Sequence, residues 1–247
     1  GGGGLSREKE TPKGAFFRPA DEREKRAVEA VRERGFEPLS DPLLETVPTG
    51  AEPRTDADYV VLTSVTGVDI AAETVRGTDA VVCAVGPKTA EALSDEGVDV
   101  DIVPERYTSG GLVDALGEAG VGGARVEVAR SDHGSDELID GLNGAGAYVH
   151  ETVLYDIKRP DSGGVATADA VDDGTLDAAL FTSSLTVEHL IEALEQKGVG
   201  PGALDDVLVC VIGEPTRRTA ESKGLDVDAV ADEETFESLL ETVAERI

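Results

Sequence analysis

This chain repeats itself, and the repeat limits its possible folds more than any other feature. Residues 81–116 lie on residues 208–243 without a gap at a constant offset of 127. That offset takes Cys83 to Cys210, Gly86 to Gly213, Thr89 to Thr216, Gly97 to Gly224, Asp101 to Asp228, Thr108 to Thr235 and Leu112 to Leu239. Upstream, residues 58–64 meet 177–183 at an offset of 119, so Thr63-Ser64 and Thr182-Ser183 are equivalent. A fainter match at an offset of 112 sets Phe17-Arg18 against Ala129-Arg130. Three segments thus recur once, as A, B, C and then A′, B′, C′. A single recurrence is too few for a solenoid and suits a two-lobed protein built by duplication.

Each repeated segment is an apolar run followed by an amphipathic one. Residues 14–19, 59–64, 80–86, 124–130, 178–183 and 207–213 read as strands whose apolar character is nearly continuous. Residues 21–34, stopped by Gly35, and 185–197, stopped by Gly198, read as helices with a glycine end. Continuous apolar strands, each followed by a helix, are what a parallel sheet covered on both faces requires, so the fold class is α/β. The segment between A and B carries Pro38, Pro42, Pro48 and Pro53, and that between A′ and B′ carries Pro160 and Gly163-Gly164. These are read as connectors. Extended character at residues 43–47 and 149–156 predicts two strands running side by side between the lobes as a hinge.

Composition excludes several classes. At 247 residues and 40% hydrophobic content, the chain can fill two modest cores. No apolar run approaches a bilayer span and no secretory signal opens the chain, so the expectation is a cytoplasmic protein with no membrane partner. The first dozen residues, opening with Gly1 to Gly4, read as a flexible leader or an added remnant. Cys83 and Cys210 sit in apolar runs, which predicts packed, reduced thiols and neither a disulfide framework nor a zinc site. His133, His150 and His189 lack ligand spacing and read as loop or surface residues; no metal is expected. Asp and Glu number 51 against 22 Lys and Arg, a net charge of −29 dispersed along the whole chain. Dispersed acids among periodic apolar positions predict a halophilic, in the first instance haloarchaeal, protein. The same field, with no basic cluster, argues against nucleic acid as a partner.

In parallel sheets the ligand lies beyond the carboxyl ends of the strands, where loops enter helix N-termini with unpaired N–H groups. Six such loops are legible: residues 18–21, 63–67, 86–89, 130–134, 182–184 and 213–216. Singly, their hydroxyls read as N-caps, each worth about 0.5–2 kcal/mol. Together they offer amides, hydroxyls and a few cations, which suits a ligand bearing many carboxylates.

The residues themselves resemble a family. The runs Tyr59-Val60-Val61-Leu62-Thr63-Ser64, Ala84-Val85-Gly86-Pro87-Lys88-Thr89-Ala90, Val103-Pro104 then Thr108-Ser109-Gly110-Gly111-Leu112, and Val211-Ile212-Gly213-Glu214-Pro215-Thr216 are similar to those of the uroporphyrinogen-III synthases. So are Phe17-Arg18-Pro19, Arg130 followed by Gly134, Val153-Leu154-Tyr155, and Phe181-Thr182-Ser183-Ser184. The resemblance covers essentially everything after residue 14.

It implies two flavodoxin-like parallel-sheet domains joined by two linker strands. One domain is discontinuous, residues 14–37 with 165–247; the other, residues 38–164, carries both connectors. It implies conversion of hydroxymethylbilane to uroporphyrinogen III, with loss of water and inversion of the last pyrrole through a spiro intermediate. The expected enzyme is a monomer, uses no cofactor, and takes a small polycarboxylate tetrapyrrole. Tyr155 matches the family's active-site tyrosine and could donate to or orient the leaving hydroxyl, although a free phenol, with pKa about 10, is a reluctant acid. Thr89 and Thr216 match the paired helix-start threonines that hold carboxylates from opposite lobes. Arg18 and Arg130 would supply charge. Thr63, Ser64, Gly86, Thr182, Ser183, Ser184 and Gly213 complete the implied binding set. Lys88, Arg217 and Arg218 are further cations whose bland role is surface solvation. The chain departs from the family's pattern at Thr66-Gly67, where a basic residue or Asn is common, and at Ser135, where Arg is frequent; this puts direct charge contacts there in question. Two rival functions are a non-enzymatic two-lobed binding protein and a nucleotide or flavin module. Against the second, no Gly-x-Gly-x-x-Gly or Walker sequence is present.

Overall fold

Strands of four residues whose side chains alternate between two apolar environments dictate the architecture. The computed structural model describes residues 11–247, so most of the expected leader lies outside the described residues. In chain order the elements are β1 (Lys13–Phe16), α1 (Glu22–Glu33), β2 (Glu37–Ser40), β3 (Glu45–Pro48), β4 (Tyr59–Leu62), α2 (Val65–Arg76), β5 (Val81–Ala84), α3 (Pro87–Asp95), α4 (Ser109–Glu118), β6 (Arg125–Ser131) and α5 (Asp136–Gly144). There follow β7 (Tyr148–Lys158), α6 (Val165–Asp172), β8 (Ala178–Phe181), α7 (Ser184–Lys197), β9 (Leu208–Val211), α8 (Glu214–Ser222), β10 (Ala229–Val230) and α9 (Phe236–Ala244). The chain divides into two compact units: the stretch ending at Glu45 with Lys158–Ile247, and Thr46–Ile157.

The first unit holds a sheet in the order β10-β9-β8-β1-β2, with every neighbour parallel. Read from the β2 edge, this is the 2-1-3-4-5 order of flavodoxin-like folds. The second unit holds β3-β7-β6-β4-β5, and its pairings β7-β6, β6-β4 and β4-β5 are parallel. Both sheets are buried on both faces. Along β8, Ala178 and Leu180 enter one core cluster while Ala179 and Phe181 enter the other. Along β4, Val60 and Leu62 part from Tyr59 and Val61 in the same way. Such strands cannot carry polar groups along their length, which is why they read as continuous apolar runs.

The repeat is visible atom by atom. Asp101 Oδ2 accepts the Val82 N–H at 2.9 Å, and Asp228 Oδ2 accepts the Val209 N–H at 2.7 Å. Cys83 bridges Ile102 in parallel just as Cys210 pairs with Ala229. Thr108 caps α4 through Gly111 N, and Thr235 caps α9 through Ser238 N. Gly97 and Gly224 both take positive φ, 77° and 86°, a backbone region that side chains disfavour.

Within the stretches read as connectors, β2 is a sheet strand that was not expected, and the extended segments 43–47 and 149–156 correspond to β3 and β7. β2 pairs with β1 from Lys13↔Glu37 to Phe16↔Ser40, and its Pro38 is tolerated because the strand is an edge. β7, eleven residues long and containing the expected extended stretch 149–156, pairs with β6 from Arg125↔Tyr148 onward. The paired linker strands are β3 and β7, neighbours in the second sheet, tied also by Thr49 N–H to Leu154 O at 3.0 Å. His189, expected at the surface, is buried on α7 with Nδ1 against the Leu43 carbonyl, which satisfies the ring nitrogen.

Both thiols are buried and free. Burial first, and then the charge of Asp101 or Asp228, pushes Cys83 and Cys210 up to about 12. A cysteine in the unfolded chain ionises near 9, so the folded chain retains protons that the unfolded chain has released. Stability must therefore fall as pH rises from about 9 toward 12. The midpoint of urea unfolding is expected to drop from pH 9 to pH 11, and the double variant Cys83→Ala, Cys210→Ala to show a shallower drop. An identical slope in the variant would place the effect elsewhere.

Candidate functional site

The carboxyl end of the second sheet is shaped by a break in its register. β6 and β7 run in step to Arg130↔Val153, then shift so that Ser131 faces Tyr155. Such irregularities re-aim side chains at strand ends. Asp132 holds the displaced strand, its N–H donating to Tyr155 O at 3.1 Å and its Oδ1 accepting from Ile157 N at 2.9 Å. Tyr155 is thereby turned inward, 5% exposed, among the residues packed around α2. Its hydroxyl lies 2.8 Å from Ser64 Oγ. Ser64 is also the N-cap of α2, accepting the Gly67 N–H at 3.0 Å. One serine hydroxyl thus caps a helix and anchors the buried phenol. Thr63, half-buried, precedes it at the end of β4.

The helices that follow β5 and β9 begin differently from those that follow β4 and β8. Ser64 and Ser183 cap α2 and α7 with their own side chains, Ser183 in a reciprocal capping box with Thr186. Gly86 and Gly213 precede α3 and α8 in extended conformation, and neither helix receives a side-chain cap. Their first-turn amides thus lack a side-chain cap at the positive end of the helix dipole, an arrangement suited to a carboxylate. Thr89 and Thr216 are the third residues of these helices, 5% and 4% exposed. Their hydroxyls have no partner among the described residues, yet no buried polar side-chain atom there is left unsatisfied, so both reach solvent.

Other residues expected to bind ligand are held by the protein itself. Ser184 Oγ meets Thr219 Oγ1 at 2.9 Å and Pro215 O at 3.3 Å, joining α7 to α8, with Thr182 half-buried beside it. Arg130, expected to present charge at a strand end, is only 4% exposed. Its Nε donates to Glu151 Oε2 at 2.6 Å and its Nη1 to Ser135 O at 2.8 Å, so it pins the loop after β6. Gly134 is required there, since a Cβ would lie 2.4 Å from Arg130 Cζ. Arg18 stacks over the Phe236 ring at 4.9 Å; burial, then the charge of Arg23, holds its guanidinium below the usual range. Beside it, Arg26 and Arg34 line a depression of about 340 Å³. Arg217 is raised by its hydrogen bond to Glu221 and is spent on its own helix, while Lys88 and Arg218 are exposed.

Three residues were not legible as site residues. Glu151, the partner of Arg130, sits on β7, a strand whose pairing with β6 was not expected. Tyr107 lies over Gly86, its Cβ 3.3 Å from where a Gly86 side chain would begin, and Glu234 lies likewise over Gly213. They occupy equivalent places, and the mismatch at an offset of 127 was the available signal. A cavity of about 390 Å³ lined by Arg54, Glu127 and His150 lies at the amino ends of β6 and β7, the end of a parallel sheet that does not carry chemistry.

A duplicated α/β protein of the flavodoxin-like kind, with bare helix starts in place of a nucleotide fingerprint, is the class that fold and site define. The comparisons with known proteins narrow it. The sequence model described as uroporphyrinogen-III synthase HemD matches residues 25–241. A Methanothermobacter thermautotrophicus protein described as a candidate uroporphyrinogen-III synthase is 34% identical over 227 residues, 85% of this chain and 89% of that one. The uroporphyrinogen-III synthase of Synechococcus elongatus is 30% identical over 196 residues, 75% of this chain and 74% of that one. Among solved structures, a mutant uroporphyrinogen III synthase from Thermus thermophilus superposes with a TM-score of 0.64 at 22% identity, covering 93% of this chain and 96% of that one. A Helicobacter pylori counterpart gives 0.63 at 16% identity, covering 96% and 100%. The chain belongs to the uroporphyrinogen-III synthase family, and it is an enzyme, a lyase of porphyrin biosynthesis.

Removing Arg130 would leave Glu151 and the Ser135 carbonyl without their donor. Because Glu151 is partly solvated, Arg130→Met is expected to cost about 2 kcal/mol rather than the larger penalty of a sealed pair. Urea unfolding measures this, and an unchanged midpoint would show that the pair contributes nothing to stability.

Proposed function

We propose that this chain cyclises hydroxymethylbilane to uroporphyrinogen III, with Tyr155 as the catalytic residue. The observation that carries the role is the hydroxyl of Tyr155, a largely buried residue near a strand end, 2.8 Å from the partly buried Ser64 hydroxyl. In this reaction the terminal hydroxyl leaves as water and so needs a proton. The azafulvenium that remains must be shielded from solvent until the last pyrrole ring is attacked and reinserted in inverted orientation. Ser64, itself fixed by the Gly67 amide, holds the phenol in one rotamer, so Tyr155 can orient or protonate the leaving oxygen. The proton returns when the ring carbon that forms the final bond loses its hydrogen.

Thr89 and Thr216, with the open amides of α3 and α8, hold substrate carboxylates in this reading. A non-enzymatic two-lobed binding protein is the rival that the family match does not favour. No helix of the described residues is long and apolar enough to cross a membrane. The enzyme is taken to act in the cytoplasm, as a monomer, without cofactor or metal.

The purified protein, given enzymatically made hydroxymethylbilane, is expected to yield isomer III in excess of the isomer I that forms spontaneously. Tyr155→Phe is expected to lower kcat about 10²-fold, in the range of lost general-acid assistance, with the unfolding midpoint kept. Isomer I alone from the wild type would end the proposal, and a Phe variant at full rate would remove Tyr155 from the chemistry.

The charge of −29, dispersed over the surface, supports a halophilic setting. Activity and melting temperature are then expected to rise from dilute buffer to molar KCl. A melting temperature independent of salt would argue against such adaptation.

A further inference from the structure

Large apolar side chains are seldom exposed among the described residues, and three of the six that are belong to one end of one sheet. Val65, 44% exposed, is the first residue of α2, directly after the β4 loop. Val103, 41% exposed, follows the Ile102 bridge to Cys83. Tyr107, 62% exposed, lies over Gly86 at the start of α3. Since β4 and β5 are paired neighbours, the loops after them open at the same carboxyl edge.

The duplicate unit tells a different story. The offset of 119 takes Val65 to Ser184, and the offset of 127 takes Tyr107 to Glu234, so the same two places carry a hydroxyl and a carboxylate. Backbone geometry at the two sites is the same, with Gly86 and Gly213 both extended and both helices uncapped. What differs is the chemistry above the amides. In the second unit an exposed tyrosine lies over Gly86, the residue before the first turn of α3, which has no side-chain cap and carries Thr89. That pairs a stacking surface with carboxylate donors, the two recognition elements needed for a pyrrole bearing acidic side chains.

We propose that Tyr107, at the same sheet end as the exposed Val65, is a platform on which one pyrrole ring of the substrate stacks, and that Glu234 denies the same role to the first unit. The proposal rests on the tetrapyrrole reading above. Tyr107 is thus a substrate-positioning residue whose ring, not its hydroxyl, matters.

The test is steady-state kinetics on hydroxymethylbilane with isomer analysis. Tyr107→Ser is expected to raise KM about tenfold, with kcat within threefold of wild type and the melting temperature unchanged. Tyr107→Phe should keep the wild-type KM. Tyr148→Ser, which removes a tyrosine 71% exposed at the opposite end of its strand from Tyr155, should change nothing. If the wild type makes isomer III but Tyr107→Ser keeps its KM, the platform is wrong and the function stands. If the Phe variant loses as much as the Ser variant, the hydroxyl is the contact and the stacking proposal is overturned. If the wild type makes only isomer I, the tetrapyrrole reading falls and the platform with it.

Discussion

Burying a four-residue strand on both faces forces every other property of this molecule. Once Ala178, Ala179, Leu180 and Phe181 are all committed to core, no polar side chain can be placed along the strand without breaking the packing. Polar chemistry is driven to the carboxyl ends, where the chain must turn into a helix and the first amides lack partners. The carboxylates of Asp101 and Asp228 solve the remaining problem by accepting N–H groups of the neighbouring strands β5 and β9. The strands are therefore short, apolar and nearly interchangeable between units, while the loops are free to differ.

This division explains what could be read from the sequence. The gapless repeat exposed the strands, the glycine caps, the Asp anchors and the Thr caps, because each is a backbone requirement with a narrow choice of residue. β2 escaped because an edge strand with Pro38 does not show the continuous apolar pattern, whereas β7 was legible as an extended linker strand over residues 149–156 but not as the sheet partner of β6. Arg130 was recognisable as important, but its partner Glu151 was not, since a pairing across neighbouring strands depends on a register that sequence spacing does not reveal. His189 had the same difficulty: one carbonyl, that of Leu43, decides whether a helix histidine can be buried.

Where the twins diverge is more telling than where they agree. Shared geometry at Gly86 and Gly213, and at Thr89 and Thr216, means that duplication kept helix starts without side-chain caps at α3 and α8 in both units. Among the many positions where the copies differ, two side chains stand over those starts, Tyr107 over Gly86 and Glu234 over Gly213. Neither Tyr107 nor Glu234 is buried, and neither is needed to cap a helix, a task left to Thr108 and Thr235. A position free of structural duty that nonetheless covers a recognition element is where two copies of one fold can acquire different parts of a task.

Charge makes that division consequential. A protein carrying −29 repels a polyanionic substrate at long range, and the repulsion fades only over the screening length, about 10 Å at 0.1 M salt and about 3 Å at 1 M. Affinity must then come from forces that act at contact: helix amides, hydroxyls and apolar surface. Concentrated salt weakens charge-assisted contacts along with the repulsion but leaves burial of a ring face undiminished, or strengthens it for excluded salts. In a chain with 4% aromatic residues, the arginines at hand are already tied to Glu151, to Phe236 and to Glu221. Beyond the exposed Lys88 and Arg218, the groups available at the strand ends are uncharged: helix starts without side-chain caps, Thr89 and Thr216, and the exposed Tyr107 ring.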